Sequence, residues 1–146
     1  MIVSLQEMQE DIFHRFTAQT NGGDFGIIQI DFPLNTEILN VSSVHYKTQN
    51  VTYKFSITSV QSYMVIQENL PDETREGLKY SNEFNSVILK ELLGSKYMEY
   101  LNQWTDLRIF FDDLSLQSIK HYSVYAQNII VNIITDKIPV IEIFED

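Results

Sequence analysis

The sequence predicts an α+β fold: a mostly antiparallel β-sheet of six to seven strands packed against an N-terminal helix and a central helical pair. Three observations lead there. Val51, Tyr53, Phe55 and Ile57 alternate with polar residues, the period of a half-buried strand. Leu5, Met8, Ile12, Phe13 and Phe16 recur at three- and four-residue spacing, which gathers them on one helix face. The strand candidates of the last third are separated by only two to five residues, whereas a parallel crossover needs about a dozen or more.

Each element has a local cause. Ser4 and Glu7 form the S-x-x-E of a capping box, so the first helix runs from about Leu5 to Ala18 and stops in the polar stretch Thr20 to Asp24. Its other face carries Glu7, Glu10, Asp11, His14 and Arg15. The pairs Glu10–His14 and Asp11–Arg15 read as solvated surface pairs worth roughly 0.2–0.5 kcal/mol each. A short strand from Gly26 to Phe32 ends at Pro33, which cannot donate to a ladder.

Glu37 to Lys47 and Val51 to Gln67 are rich in strand-forming residues, with Thr48 to Asn50 as a hairpin turn between them. The apolar set changes parity along the second of these, from Val51, Tyr53, Phe55 and Ile57 to Val60, Met64 and Ile66. One register cannot bury both sets on one face, so a bulge or bend is expected between Thr58 and Gln61.

The central helical pair rests on two patterns. Phe84, Val87, Ile88 and Leu92, with Leu89 and Leu93, make a helical stripe after Ser81 that stops at Gly94. Ser95 then caps a helix carrying Tyr97, Met98, Leu101 and Trp104. Strands return at Leu107 to Phe111, Ser118 to Ala126, Ile129 to Ile134 and Val140 to Phe144. Gln127–Asn128 and Thr135 to Pro139 read as the turns of antiparallel hairpins. With no repeat and no linker-like stretch, residues 1–146 are expected to form one domain.

Composition narrows the function. A chain of 146 residues buries roughly 68–70% of its unfolded surface, enough for a core without staples. The absence of cysteine excludes disulfides, thiolate metal sites and a cysteine nucleophile. The N-terminus lacks the basic and apolar regions of a signal peptide, and the most apolar tract, Ile129 to Ile134, falls far short of the ~20 residues of a membrane span. A cytoplasmic protein is expected. Twenty acidic residues against ten basic give a formal charge of −10, which argues against nucleic acid and speeds encounter with a basic partner. A single acidic face would favour such a partner; an even spread would favour solubility alone.

One stretch invites a chemical reading. In Ser118 to Asp136, Ile119, His121, Ser123 and Tyr125 share one strand face, followed by a run apolar on both faces. A histidine beside a hydroxyl can act as a general base only with an orienting partner and an oxyanion donor, and neither is recognisable. A half-buried polar–aromatic strip in a sheet is the plainer account. His45 could converge with His121, with Asp31 or Glu142 completing a metal site, but scattered histidines lack ligand spacing. Gly23 to Gly26 spell the GDFG of a kinase magnesium loop without its companion motifs, so these glycines read as turn residues. Asp112 and Asp113, near Asp106, flank a short strand as acidic turn residues.

No cofactor motif is present, and no metal or other cofactor is expected. The expected function is therefore non-enzymatic: an acidic protein-binding module, of inhibitor or immunity type, that neutralises a basic partner protein. Its candidate binding residues are Asp112, Asp113, Tyr80, Tyr100, Trp104, His121 and Tyr125. Two alternatives stand beside it: a small enzyme using an unrecognised histidine–carboxylate site, and a structural subunit that self-associates through a sheet edge.

Overall fold

The computed structural model describes residues 1–16, 24–34, 36–67, 79–93, 96–104 and 119–145. Within them the order is β1 (Ile2–Val3), α1 (Leu5–Phe16), β2 (Phe25–Asp31), β3 (Leu39–His45), β4 (Val51–Ile57), β5 (Ser62–Gln67), β6 (Lys79–Asn85), β7 (Leu89–Leu93), α2 (Lys96–Trp104), β8 (Lys120–Tyr125), β9 (Ile129–Thr135) and β10 (Val140–Glu145). The fold is α+β with antiparallel pairing, but its strands form two five-stranded sheets where the sequence suggested one. Sheet A runs β1-β10-β4-β3-β2 and sheet B runs β5-β9-β8-β7-β6.

Helix α1 forms as its cap and stripe dictate. The Ser4 hydroxyl accepts from the Glu7 amide at 3.1 Å, and Met8, Ile12 and Phe16 are buried. These three pack into one apolar cluster with the inner face of sheet A, including Val41, Tyr53, Phe55 and Ile57, and with Tyr122, Val124, Val131 and Ile133 of sheet B. Each such side chain, fully buried, contributes about 1.5–3 kcal/mol. The surface pair of α1 is more engaged than its spacing implied. Arg15 bonds Asp11 at 2.7 Å and also pairs with Glu145, while Asp11 accepts from the buried Tyr53 hydroxyl. Burial and the acceptor role of Asp11 push the Tyr53 phenol far above its usual range.

The parity change between β4 and β5 is where the chain leaves one sheet for the other. Ser59 takes a left-handed φ of 53° and Val60 donates to the Glu37 carbonyl at 3.2 Å. β4 pairs with β3 and β10, and β5 pairs with β9. The two apolar sets therefore serve two sheets, a larger break than the expected bulge. The β3–β4 connection is the expected hairpin, with Gln49 at φ 56°.

Two expectations fail on topology. The segment after Ser81 is no helix: it is the β6–β7 hairpin, closed by Ser86, whose amide and hydroxyl donate to Leu89 O at 2.8 and 2.7 Å while its Oγ accepts from Leu89 N at 2.8 Å. Sheet B is buried on both faces at this strand, Leu89 lying opposite Val124 and Leu92 opposite His121. Apolar residues three apart serve two sheet faces as well as one helix face, so the stripe did not discriminate. Of the expected pair only the second member forms a helix, α2. The turn after β9 is likewise no hairpin, because β10 joins sheet A between β1 and β4. Pairing of β8 with β9 through Gln127–Asn128 is as expected, and β9 is buried on both faces. The strand expected at Leu107 to Phe111 lies outside the described residues.

The β8–β9 turn also locks the sheets together. Asn128 uses its carboxamide as a surrogate strand, accepting from Ile27 N and donating to Ile27 O, both at 2.9 Å. Gln127 N adds a bond to Phe25 O at 2.8 Å. Replacing Asn128 with alanine is expected to cost about 1–2 kcal/mol, the sum of two partly buried hydrogen bonds, measured by urea unfolding.

Candidate functional site

Three of the candidate residues, Tyr80, His121 and Tyr125, lie on the face of sheet B that points away from the core. Register puts Tyr80 opposite Leu92, Leu92 opposite His121, and Lys90 opposite Ser123, so these side chains share one face with Tyr125. Tyr80 and Tyr125 bring their hydroxyls to 3.3 Å, and the Lys90 ammonium lies 4.8 Å from one ring centre and 5.8 Å from the other. Both distances fall within the roughly 6 Å of a cation–π contact. Burial lowers the Lys90 pKa, since desolvation penalises its charged form.

Helix α2 covers the neighbouring part of this face. Tyr97, Met98 and Leu101 pack on Ile119 and Ile134, and the Tyr97 hydroxyl meets that of Ser62. Tyr100 is 57% exposed on the same helix, and Trp104 ends it. Asp112 and Asp113 lie outside the described residues.

At the centre His121 is buried and forms a three-membered polar cluster with Ser123 and Asn132. Asn132 Oδ1 accepts from Ser123 Oγ at 2.6 Å and from His121 Nε2 at 2.7 Å, while the serine and histidine atoms stand 3.3 Å apart. Tyr97 meets the imidazole edge-on at 5.6 Å. Burial lowers the His121 pKa, partly opposed by the Asn132 acceptor. This wiring determines the chemistry. A base for Ser123 needs a bare imidazole nitrogen facing the hydroxyl. Here Nε2 donates, and the serine proton goes to the amide. Each member of the cluster has a partner within it, and Asn132 is the member that sequence reading missed. Its signal was a lone asparagine inside IIVNII, a polar group that a two-face buried strand cannot carry without partners.

His45 occupies a different place. It stacks on Phe16 at 4.0 Å and 15°, meets Phe25 edge-on, and bonds Thr48 Oγ1 through Nδ1 at 3.2 Å, all on the inner side of sheet A. Burial lowers its pKa, partly opposed by Asp24. Asp31 and Glu142 stand on the opposite face of sheet A, so the structure does not bring the two histidines and these carboxylates together. Among the described residues no group of three histidine or acidic side chains could hold a metal.

The outer face of sheet A is the second surface of interest. Ile2 lies opposite Glu142, and Val140 and Phe144 flank Glu142 on the same face. These apolar side chains are 68%, 41% and 46% exposed. Described carboxylates do not gather on one side. Glu7 and Glu10 lie on α1, Glu99 on α2 and Asp31 on β2, while Asp11, Asp24, Glu91 and Glu145 are paired with bases. No described helix is long and apolar enough to cross a membrane. Comparison with family models, curated proteins and solved structures found no match.

Proposed function

We propose that the protein is a non-enzymatic binding module that docks a partner protein on the β1–β10 margin of sheet A, and that the partner is basic, as for an inhibitor of immunity type. The observation that carries this is the exposure of Ile2, Val140 and Phe144 around Glu142 on one water-facing sheet surface. Apolar side chains grouped around Glu142 and the Lys54 opposite it match the make-up of an interface, with burial supplying affinity and the charged pair supplying orientation. The net charge of −10 favours a basic partner through long-range attraction. The spread of the described carboxylates lends no support to a dedicated acidic face, so the inhibitor role rests on net charge and the non-enzymatic role on the wiring of Ser123 and His121.

The test is capture of partners from native cells by the immobilised chain at low salt, run beside an Ile2→Ser/Phe144→Ser double variant. A basic protein retained by the wild type and bound at least about tenfold more weakly by the variant is the expected result. Retention of no basic protein, or equal retention by both, ends the proposal. Loss with Tyr100→Ala instead would move the docking surface to α2.

A further inference from the structure

Gly26 is the second residue of β2, an edge strand of sheet A, and lies between Phe25 and Ile27 within it. Glycine in a strand interior weakens it, and usually marks a bulge, a bend or a close approach by another group. The sequence places it both among turn glycines and at the start of a strand; it belongs to the strand, pairing with Val44 in the ladder, and the adjacent bulge falls between Ile27 and Gln29. Its φ lies outside the left-handed region. A side chain built there would meet only Asn128 Oδ1, at an ordinary 4.0 Å. Nothing among the described residues requires the missing side chain. What its absence does is open a floor.

That floor belongs to a cleft of about 610 Å³ on the outer face of sheet A. Gly26, Val44 and Thr52 lie side by side across three strands at its base. Tyr46 and Gln49 rise from the β3–β4 turn on one side. Ile28 from the bulge, with Gln127 and Asn128 from the β8–β9 turn, closes the other. The volume is in the range of small-molecule sites, roughly 300–1,000 Å³, but the cleft is more open than enclosed, so a ligand there keeps one side in water. Asn128 is held by its two bonds to Ile27, so this wall is fixed to the sheet edge.

The lining selects a ligand class. It carries no formal charge, in a chain where 21% of residues do. An ion would lose hydration there without gaining a counter-charge. Carboxamides and hydroxyls both donate and accept, matching a ligand rich in hydroxyls. The Tyr46 ring with Val44 and Ile28 offers an apolar surface beside them. A saturated ring with hydroxyls on its rim and C–H groups on its face satisfies both halves. Strand addition by a peptide beside the cleft is blocked, because Gln127 and Asn128 already occupy the β2 edge at Phe25 and Ile27.

We propose that this cleft binds a neutral, hydroxyl-bearing ring of the size of a hexose, with Gly26 as the floor that admits it. The cleft adjoins the protein-docking margin, Thr52 of its floor lying opposite Phe144 in the ladder, but shares no residue with it.

The test is amide-resolved NMR on the intact chain, titrated into the millimolar range with glucose, galactose, mannose and N-acetylglucosamine, and with glucuronate as the charged counterpart. At least one neutral sugar should give saturable shifts at Gly26, Val44, Thr52 and Asn128. Glucuronate should bind at least about tenfold more weakly than glucose. Gly26→Leu, which fills the floor, should abolish the shifts while the far-ultraviolet spectrum stays that of the wild type. Tyr46→Ala, in an exposed turn, tests the same contact without touching a strand and should weaken binding at least about tenfold. No saturable shift with any neutral sugar, undiminished binding in both variants, or glucuronate binding as tightly as glucose would overturn the proposal.

Discussion

Replacing Asn132 with alanine is expected to destabilise the protein by about 3–5 kcal/mol, far more than an exposed asparagine would. Its Oδ1 is the acceptor for both the Ser123 hydroxyl and His121 Nε2, and all three residues are buried. Truncation leaves two donors in an apolar interior, each costing about 1–3 kcal/mol. Urea unfolding measures the loss. Replacing the whole cluster by apolar residues (His121→Leu, Ser123→Ala and Asn132→Val) should recover most of it, since no donor is then stranded. A loss below about 1 kcal/mol for the single variant would mean that the donors find other acceptors.

Acidification gives the second large effect. Burial holds the pKa of His121 and His45 below the 6.5 of an ordinary imidazole. The unfolded chain thus binds protons more readily than the folded one once the pH drops toward 6.5. Stability is then full above that pH, falls as pH decreases through it, and levels off below the folded-state pKa values. Each unit of separation is worth about 1.4 kcal/mol. His121 is expected to supply the larger share, being the more deeply enclosed. His121→Phe and His45→Phe keep an aromatic ring at each site, and the double variant should flatten the slope of unfolding free energy between about pH 7 and 5. An unchanged slope in that variant would assign the acid sensitivity to carboxylates.

What the sequence disclosed depended on range. The Ser4 cap and the stripe of Leu5, Met8, Ile12 and Phe16 are local signals, and the helix follows them. The parity shift after Ile57 marked a discontinuity, because side-chain direction in a strand is fixed by counting. What it could not show was the destination. Nothing in Asp136 to Pro139 distinguishes a hairpin from a passage between sheets, since that depends on which edge offers β10 a partner. The stripe from Val87 to Leu93 misled for a related reason: with α2 and a second sheet covering both faces of sheet B, strand and helix demand similar apolar spacing there. At the site, Tyr80, His121 and Tyr125 were singled out by residue type, and pairing placed them on one face. Asn132 was passed over because its meaning comes from the two donors opposite and beside it.

The position of β10 between β1 and β4 has a consequence for biosynthesis. As the polypeptide emerges from the ribosome, α1 and the β2–β3–β4 meander can assemble early, yet the flank of β4 stays bare until residues 140–145 arrive. During that interval Tyr53 and Phe55 lie beside a row of unpaired amides and carbonyls, a template for pairing with other nascent chains. Ribosome stalling before Val140 should thus produce aggregation-prone intermediates, and a chain ended at Pro139 would keep that template permanently.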